Sequence, residues 1–341
     1  MKILVTGAAG FIGYHLCERL LALGHSVMGL DNLNDYYDVS LKLGRIGQLG
    51  IKTVPEYNIV YNSENHAEAF RFIKLNLEDK ESLPKLFEAE GFDYVCNLAA
   101  QAGVRYSLEQ PFTYVESNIV GFLNVLEACR NYGIRKLVYA SSSSVYGSND
   151  KVPFSTQDNV DYPISLYAAT KKSNELTAYT YSHLFGINTI GLRFFTVYGP
   201  WGRPDMAMFL FTDAILNERP IKVFNKGELS RDFTYIDDII NGVVATLLGS
   251  KPNLPLYQLY NIGNSKPVKL LDFIDEIESV TGKEAIKEML PMQPGDVEKT
   301  WADISAFVSD YGYKSCTNVN DGVRKFVEWY KWYYESINER T

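Results

Sequence analysis

The sequence predicts an α/β protein with a doubly wound parallel sheet, followed by a smaller C-terminal α/β lobe for substrate binding. Two observations predict this class. In the first half of the 341-residue chain, short and nearly continuous apolar runs alternate with amphipathic segments, which is the pattern of parallel strands buried between layers of helices. After Arg193 proline and glycine cluster in stretches such as "VYGPWGRPDM" and "NERP", which is typical of a loop-rich lobe.

Six strands are predicted in the first half from short apolar runs. In chain order they are Ile3–Thr6, Ser26–Leu30, Ala69–Leu75, Tyr94–Leu98, Leu137–Ala140 and Asn188–Arg193. Four helices are predicted from amphipathic segments, namely Phe11–Leu23, Glu81–Glu88, Pro111–Tyr132 and Leu166–Phe185. The polar segment Asn32–His66 is rich in Tyr and Asn, which predicts either a surface loop or a small helical excursion.

The composition is that of a soluble globular protein, with 46% hydrophobic and 22% charged residues. A net charge of -8 argues against nucleic acid as a partner. The four cysteines show no CxxC spacing, so we expect free, mostly buried thiols, and neither they nor the histidines predict a metal site. The N-terminus enters a strand pattern at once and no apolar run is long enough to span a bilayer, so we expect a cytoplasmic protein without membrane contact.

A glycine-rich turn, "VTGAAGFIGY", joins the first strand to the first helix and contains Gly7, Gly10 and Gly13. Glycine there permits a tight bend and close approach of a pyrophosphate, and the helix N-terminus offers N–H groups to the anion. Asp31 ends the second strand, where a carboxylate binds ribose hydroxyls and repels a 2′-phosphate. The sequence therefore predicts a Rossmann-type site for NAD rather than NADP. Neighbouring residues assigned to the same cofactor are Phe11, Ile12, Asn32, Asn76 and Leu77.

Four serines in "YASSSSVYG" end the fifth predicted strand, and strand C-termini surround the ligand crevice in such sheets. The fourth helix begins with "YAATK", which puts Tyr167 and Lys171 one turn apart on one face. Tyrosine, with a pKa of about 10, is a poor base at neutral pH. We expect Lys171 and a cationic nicotinamide ring to lower that pKa. The pattern thus predicts a Ser–Tyr–Lys unit that removes a proton beside a hydride acceptor.

These stretches resemble the extended short-chain dehydrogenase/reductases that modify nucleotide sugars, and the resemblance covers nearly the whole chain. Two further stretches, "NLAAQAGVRYSLEQP" and "RFFTVYGPWGRPDMA", are similar to the UDP-glucuronate 4-epimerases of that family. The resemblance implies tightly held NAD⁺, a tyrosine base, and inversion of C4 of UDP-glucuronate through a transient 4-keto sugar. It also implies a homodimer in which Pro111–Tyr132 and Leu166–Phe185 of each chain pack as four helices.

Position by position, the resemblance implies that Ser142 holds the sugar O4, that Tyr167 is the base and that Lys171 is its partner. The cofactor contacts that it adds are Leu98, Ala99, Ala100, Gln101, Asn118 and Ser141, with Asn118 tethering the active-site backbone. The substrate contacts that it adds are Arg105, Ser143, Thr196, Arg203, Lys222, Val223, Phe224, Arg231 and Asp296. Of these, the segment 222–224 is assigned to the uracil, Arg231 to the pyrophosphate, Asp296 to the nucleotide, and Arg105 and Arg203 to the uronate carboxylate.

The predicted domains follow from these assignments. Residues 1–193 form the NAD-binding domain with the catalytic Ser, Tyr and Lys, and residues 194–341 form mainly the UDP-sugar lobe, although the chain can cross between the two. Two positions depart from the family's pattern, because Asn97 replaces a usual His and Asn76 replaces a usual Asp near the adenine.

Other reactions of this family remain alternatives. Dehydratases need an acid–base pair where Ser143 and Ser144 stand, and UDP-glucuronate decarboxylases typically carry Glu at the position of Ser144. Hydroxyls from Ser143 and Thr196 are candidates to hold the carboxylate out of alignment with the 4-keto group, which would prevent loss of CO₂. A general UDP-hexose 4-epimerase, a UDP-glucuronate decarboxylase and a non-catalytic NAD-binding regulator are the alternatives to UDP-glucuronate epimerisation.

Overall fold

A computed structural model of the protein describes residues 1–292 and 297–338. Its strands are β1 (Lys2–Thr6), β2 (Ser26–Asp31), β3 (Val60–Ser63), β4 (Ala67–Lys74), β5 (Tyr94–Asn97), β6 (Lys136–Ser142), β7 (Asn188–Phe194), β8 (Thr196–Tyr198), β9 (Ile221–Val223), β10 (Ser230–Arg231), β11 (Phe233–Tyr235), β12 (Tyr257–Ile262), β13 (Val268–Lys269) and β14 (Lys287–Met289).

The helices are α1 (Phe11–Ala22), α2 (Val39–Gln48), α3 (Ser82–Glu90), α4 (Tyr106–Glu109), α5 (Pro111–Tyr114), α6 (Gly121–Asn131), α7 (Leu166–Phe185), α8 (Ala207–Leu216), α9 (Ile236–Leu248), α10 (Leu270–Thr281), α11 (Ser305–Tyr311) and α12 (Val319–Asn338). A π-helical turn, Val115–Val120, joins α5 to α6, and 3₁₀ turns occupy Ser143–Tyr146 and Phe224–Gly227.

One eight-stranded sheet has the order β12-β7-β6-β5-β1-β2-β4-β3. All of its pairs are parallel except β3 on β4. The chain builds to one side of β1 through β2 and β4, and then to the other side from β5. This reversal opens a crevice at the carboxyl ends of β1 and β5, which is where ligands bind in such sheets. The topology confirms the predicted doubly wound α/β fold.

Both faces of the sheet are covered. Ile3 and Val5 of β1 point into one apolar core, which they share with α1 and α9. Leu4, between them, points into a second core shared with α3, α6 and α7. Because both faces of the sheet are buried, almost every position of the strand must be apolar. This is why apolar and polar residues do not alternate along these strands.

The segment Asn32–His66 contains a helix, which agrees with the predicted helical excursion, and a strand that was not predicted. It holds α2 and also β3, which pairs antiparallel with β4 at the sheet edge. The predicted helix Pro111–Tyr132 is likewise interrupted by the π-helical turn. In both cases the outcome depends on contacts with distant parts of the chain, which local pattern does not encode.

The C-terminal part contributes to the main sheet as well as to the smaller lobe. β12 pairs with β7 at the sheet edge, and the lobe itself contains three short two-stranded sheets with α8, α10 and α12. An aromatic cluster ties the lobe to the crevice loop, since the Trp201 ring lies 5.3 Å from that of Trp329 and 4.9 Å from that of Tyr333.

Cys17, Cys96 and Cys129 are buried free thiols and Cys316 is an exposed one, as predicted. Within the described residues, no helix has both the length and the apolar character needed to cross a membrane.

Candidate active site

The glycine-rich turn between β1 and α1 is too crowded for side chains. Gly7 has φ +72°, and a Cβ there would come within 2.8 Å of the backbone nitrogen of Ala99. A Cβ on Gly13 would collide with the carbonyl oxygen of Gly7. Gly10 caps α1 without a side-chain hydrogen bond, so the first N–H groups of the helix are available to an anion. The turn therefore fits a dinucleotide pyrophosphate.

Asp31 is buried at the end of β2 and is fixed by backbone groups. Its Oδ2 accepts from the N–H of Ala9 at 3.2 Å and its Oδ1 from the N–H of Leu33 at 2.9 Å. Each carboxylate oxygen keeps acceptor capacity for a ribose hydroxyl. Beside it, Lys42 of α2 donates to both the carbonyl and the side-chain oxygen of Asn34. Lys42 lines the same cavity, and the sequence prediction had not included it.

A cavity of about 520 Å³ connects this turn to the strand ends. Most predicted site residues line it: Gly7, Gly10, Phe11, Ile12, Gly13, Asp31, Asn32, Leu77, Leu98, Ala99, Ala100, Gln101, Ser141, Ser142, Ser143, Tyr167, Lys171, Thr196, Arg203 and Arg231. Predicted residues that do not line it are Asn76, Arg105, Asn118, Lys222, Val223 and Phe224. Asp296 lies outside the described residues.

Tyr167 sits in the first turn of α7, and Ser165 caps this helix by accepting from the N–H of Ala168 at 3.1 Å. Burial raises the pKa of Tyr167, and a hydrogen bond with Ser142 and the charge of Arg203 offset this only in part. Lys171 is not among the groups that shift the Tyr167 pKa within the protein, and the predicted joint effect of Lys171 and a nicotinamide ring stays a prediction. Nζ of Lys171 lies 6.0 Å from the centroid of the Tyr167 ring.

Lys171 is buried and donates to the carbonyl oxygen of Ala140 at 2.9 Å, which ties α7 to the end of β6. Burial lowers its pKa to about 8. Its charge is therefore retained at neutral pH but lost in the mildly alkaline range.

The serines at the end of β6 face different partners. Ser142 Oγ donates to Ser144 Oγ and accepts from the backbone N–H of Ser144, both at 3.1 Å, and it also faces Tyr167. Ser141 Oγ instead donates to Glu175 Oε1 at 2.6 Å. The serine that faces the tyrosine is thus Ser142, as the sequence comparison within this run implied.

A buried ion pair joins α7 to β7. Arg193 of β7 donates through Nε and Nη2 to the two oxygens of Glu175, each at 2.8 Å. Glu175 is one helical turn beyond Lys171, so Tyr167, Lys171 and Glu175 lie on the same face of α7. The sequence prediction missed the pair, although the spacing of Tyr167, Lys171 and Glu175 at four-residue steps was a usable signal.

Asn118 lies in the π-helical turn and holds the backbone beside the cavity. Its Oδ1 accepts from the N–H of Gln101 at 2.8 Å, and its Nδ2 donates to the carbonyl of Gln101 at 3.1 Å and to Thr170 Oγ1 at 3.1 Å. Asn118 therefore acts behind the cavity wall and not on its surface.

The far wall of the cavity comes from the second lobe. Thr196 begins β8, and Arg203 follows in the next loop, where Asp205 pairs with it. Arg105 lies over the ring of Phe224, with 5.1 Å from Cζ to the centroid. The side chain of Val223 is fully buried in the lobe core and that of Lys222 is exposed.

The model of the NAD dependent epimerase/dehydratase family matches residues 3–263. Protein CapI of Staphylococcus aureus is 51% identical over 98% of this chain and 100% of its own length. UDP-glucuronate 4-epimerase 2 of Arabidopsis thaliana is 46% identical over 100% of this chain and 78% of its own length. The crystal structure of UDP-glucuronic acid 4-epimerase from Bacillus cereus, in complex with UDP-glucuronic acid and NAD, is similar with a TM-score of 0.87 and 37% identity. That match covers 98% of this chain and 100% of the crystal chain.

Proposed function

Because this chain belongs to the NAD-dependent epimerase/dehydratase family, we propose that it inverts C4 of UDP-glucuronate to give UDP-galacturonate. The observation that carries the proposal is the placement of Tyr167, Lys171 and Ser142 on one wall of a cavity that also contains the dinucleotide turn. Relatives named UDP-glucuronate 4-epimerases match this chain over its full length, and a similar solved structure holds UDP-glucuronic acid and NAD.

NAD is held by the glycine turn, Asp31 and the wall at 98–101. The chemistry that bound NAD supplies is reversible hydride exchange with C4 of the sugar. Ser142 holds the 4-hydroxyl, and Tyr167 takes its proton as the C–H bond breaks. Because burial raises the Tyr167 pKa, the phenolate needs nearby positive charge, and Lys171 and Arg203 supply it from the protein. Return of the hydride to the opposite face of the 4-keto sugar, with the proton given back by Tyr167, completes the inversion.

Elimination of water is disfavoured by the residues around Tyr167. In the described part of the chain, the carboxylates that line the cavity are Asp31 and Glu78. Asp31 ends β2 and Glu78 follows β4, so both lie on the nucleotide side of the crevice. The positions next to Ser142 hold only the hydroxyls of Ser143 and Ser144. A dehydratase needs a carboxylic acid at that point to protonate the leaving hydroxyl, so this site lacks that group.

The uronate carboxylate is assigned to Thr196, Ser143 and Arg203. Thr196 and Ser143 line the same cavity as Tyr167, and the charge of Arg203 reaches Tyr167. Arg105 is reassigned to the nucleotide end, because it stacks on Phe224, the residue proposed to border the uracil. Arg231, on the cavity wall, remains proposed for the pyrophosphate, as do Lys222 and Val223 for the uracil.

We also propose a homodimer and a cytoplasmic protein. Apolar side chains project outward from the two helices of the predicted interface, with Phe112 80%, Leu123 40%, Leu176 58% and Leu184 61% exposed. A second copy covering them would remove this apolar surface from water. The free thiols of the described residues suit a reducing compartment.

The test is to incubate the purified protein with UDP-glucuronate or UDP-glucose, without added NAD, and to follow the products by NMR. We expect conversion to UDP-galacturonate, with kcat/KM for UDP-glucuronate about 10⁴-fold above that for UDP-glucose, because a site built to bind a polar group rejects an analogue that lacks it. Equal efficiency with UDP-glucose would indicate a general UDP-hexose 4-epimerase. A UDP-pentose with release of CO₂ as the main product would indicate a decarboxylase, and no conversion at all would favour a regulator.

A further inference from the structure

Arg203 pairs with Asp205, and this contact leaves only part of the Arg203 guanidinium available to a ligand. Its Nε donates to Asp205 Oδ1 at 3.0 Å and its Nη2 donates to Asp205 Oδ2 at 2.5 Å. This bidentate contact occupies one edge of the planar group. Nη1 makes no hydrogen bond within the described residues, and the side chain lines the cavity. Asp205 therefore fixes the plane of the guanidinium and directs its second edge away from itself.

Asp205 is in turn held from the opposite lobe. The hydroxyl of Tyr36 donates to Asp205 Oδ2 at 3.0 Å, and the guanidinium of Arg203 lies over the Tyr36 ring, 5.9 Å from its centroid. Tyr36 follows β2 in the segment that begins at the NAD ribose carboxylate, whereas Asp205 follows β8. The contact therefore joins the cofactor side of the crevice to the sugar side.

Tyr36 has little freedom to move. Its ring packs 4.9 Å from that of Tyr106 and 6.0 Å from that of Tyr37. Its hydroxyl occupies the space beside Gly103, which has φ +101° and where a Cβ would collide with it. The hydroxyl is thus aimed at Asp205 by the cavity loop itself, and a fixed donor can orient Asp205 and, through it, Arg203.

The charges are consistent with this arrangement. Burial raises the pKa of Asp205, but the charge and hydrogen bonds of Arg203, with the Tyr36 hydroxyl, outweigh it and leave the pKa below its usual value. Asp205 is therefore ionised at neutral pH and partly compensates the charge of Arg203. Recognition of a carboxylate by arginine depends on the planar, two-pronged geometry of its N–H groups, so the orientation of the guanidinium decides how well Arg203 recognises one.

We propose that Tyr36 is a specificity-determining residue, which positions Arg203 through Asp205 so that the free guanidinium edge meets the carboxylate of a UDP-uronate. This inference rests on the proposed function. Tyr36 itself lines the cavity, but the role proposed for it is that of a positioning residue, because it acts on the carboxylate through Asp205 and Arg203. It lies 169 residues away from Asp205 in the chain, and no motif connects them.

The experiment measures binding of UDP-glucuronate and of UDP-glucose to the NAD-bound protein by calorimetry, in wild type, Tyr36→Phe, Arg203→Gln and the double variant. We expect Tyr36→Phe to weaken UDP-glucuronate binding roughly three- to tenfold and to leave UDP-glucose binding unchanged. In the Arg203→Gln background it should have no further effect, because two residues that act through one contact are not additive.

Tyr106→Phe is the matched control, since its ring packs on Tyr36 and it does not line the cavity. It should bind both UDP-sugars as wild type does, and all variants should keep their NAD. An equal loss for both UDP-sugars in Tyr36→Phe, no loss, or an additive loss with Arg203→Gln would overturn the inference. A wild type that binds and converts UDP-glucuronate no better than UDP-glucose would overturn the proposed function itself, which is a separate result.

Discussion

Tyr167 is the residue on which the proposed chemistry depends most directly. Tyr167→Phe removes the phenolic oxygen and keeps the ring, so we expect kcat to fall by at least about 10³-fold while the bound NAD and the thermal unfolding midpoint stay as in wild type. Single-turnover formation of UDP-galacturonate is the measurement. A loss below about tenfold, which corresponds to roughly 1.4 kcal/mol of barrier, would be too small for an essential base.

Lys171 gives the site a predicted pH dependence. Because burial lowers its pKa to about 8, its charge disappears as the pH rises through 8, and we expect kcat/KM to fall on that alkaline limb. The unfolded chain keeps the proton up to the ordinary pKa of 10.5. Between these values the unfolded state binds more protons, so the contribution of Lys171 to the unfolding free energy rises with pH. Activity and stability should therefore change in opposite directions.

A conservative variant separates the charge of Lys171 from its position. Lys171→Arg keeps a positive group to above about pH 12, so the alkaline limb should move upward even if the overall rate is lower. A limb that stayed at the same pH in Lys171→Arg would assign the titration to another group.

At the residue scale, the sequence revealed what local pattern can encode. Gly7, Gly13 and Asp31 lie where strand and helix spacing predicted, and so do Tyr167 and Lys171. Two contacts could not be predicted, because each forms only when separate elements pack together. They are the hydrogen bond between Tyr36 and Asp205 and the ion pair between Glu175 and Arg193. Lone Tyr, Asp and Arg residues are common, so neither member of a pair gave a signal of its own.

At the element scale, the helix that carries Tyr167 in its first turn was predicted with its observed bounds, Leu166–Phe185. The serine cap before it and the glycine after it are strong local signals. Eight strands of the described residues were not predicted. One of them, β12, has six residues. The other seven have two to four residues each, and runs this short depend on their partner strand rather than on their own composition; they are β3, β8, β9, β10, β11, β13 and β14.

The exposed apolar faces of two elements support the predicted dimer. Leu176→Asp places a charge at the centre of the α7 surface, so we expect it to turn a dimer into a monomer, as measured by light scattering at micromolar concentration. Val54→Asp changes a side chain that is 67% exposed elsewhere on the molecule and should leave the mass unchanged. A wild type with the mass of one chain would contradict the dimer.

At the scale of the whole molecule, the two halves together enclose the cofactor side of the cavity. Arg45 of α2 is fully buried and donates to the carbonyls of Ala9, in the glycine turn, and of Trp201, in the second half.

Because the reaction is redox-neutral overall, we expect NAD⁺ to remain bound through purification and turnover. Denatured protein should release about one NAD⁺ per chain, measured by liquid chromatography. Nucleotide-free protein whose activity requires saturating NADP⁺ would contradict this.

The position of β12 limits how the protein can be recombined with its relatives. Tyr257–Ile262 pairs residue for residue with Thr189–Phe194, so a chain cut after Arg193 would leave β7 as a bare sheet edge, open to pairing with other chains. The first 193 residues are therefore not a module that can be exchanged as a block. A chimaera that borrows the sugar lobe of a relative should keep Tyr257–Ile262 together with the first 193 residues, so its crossover points belong on either side of that strand.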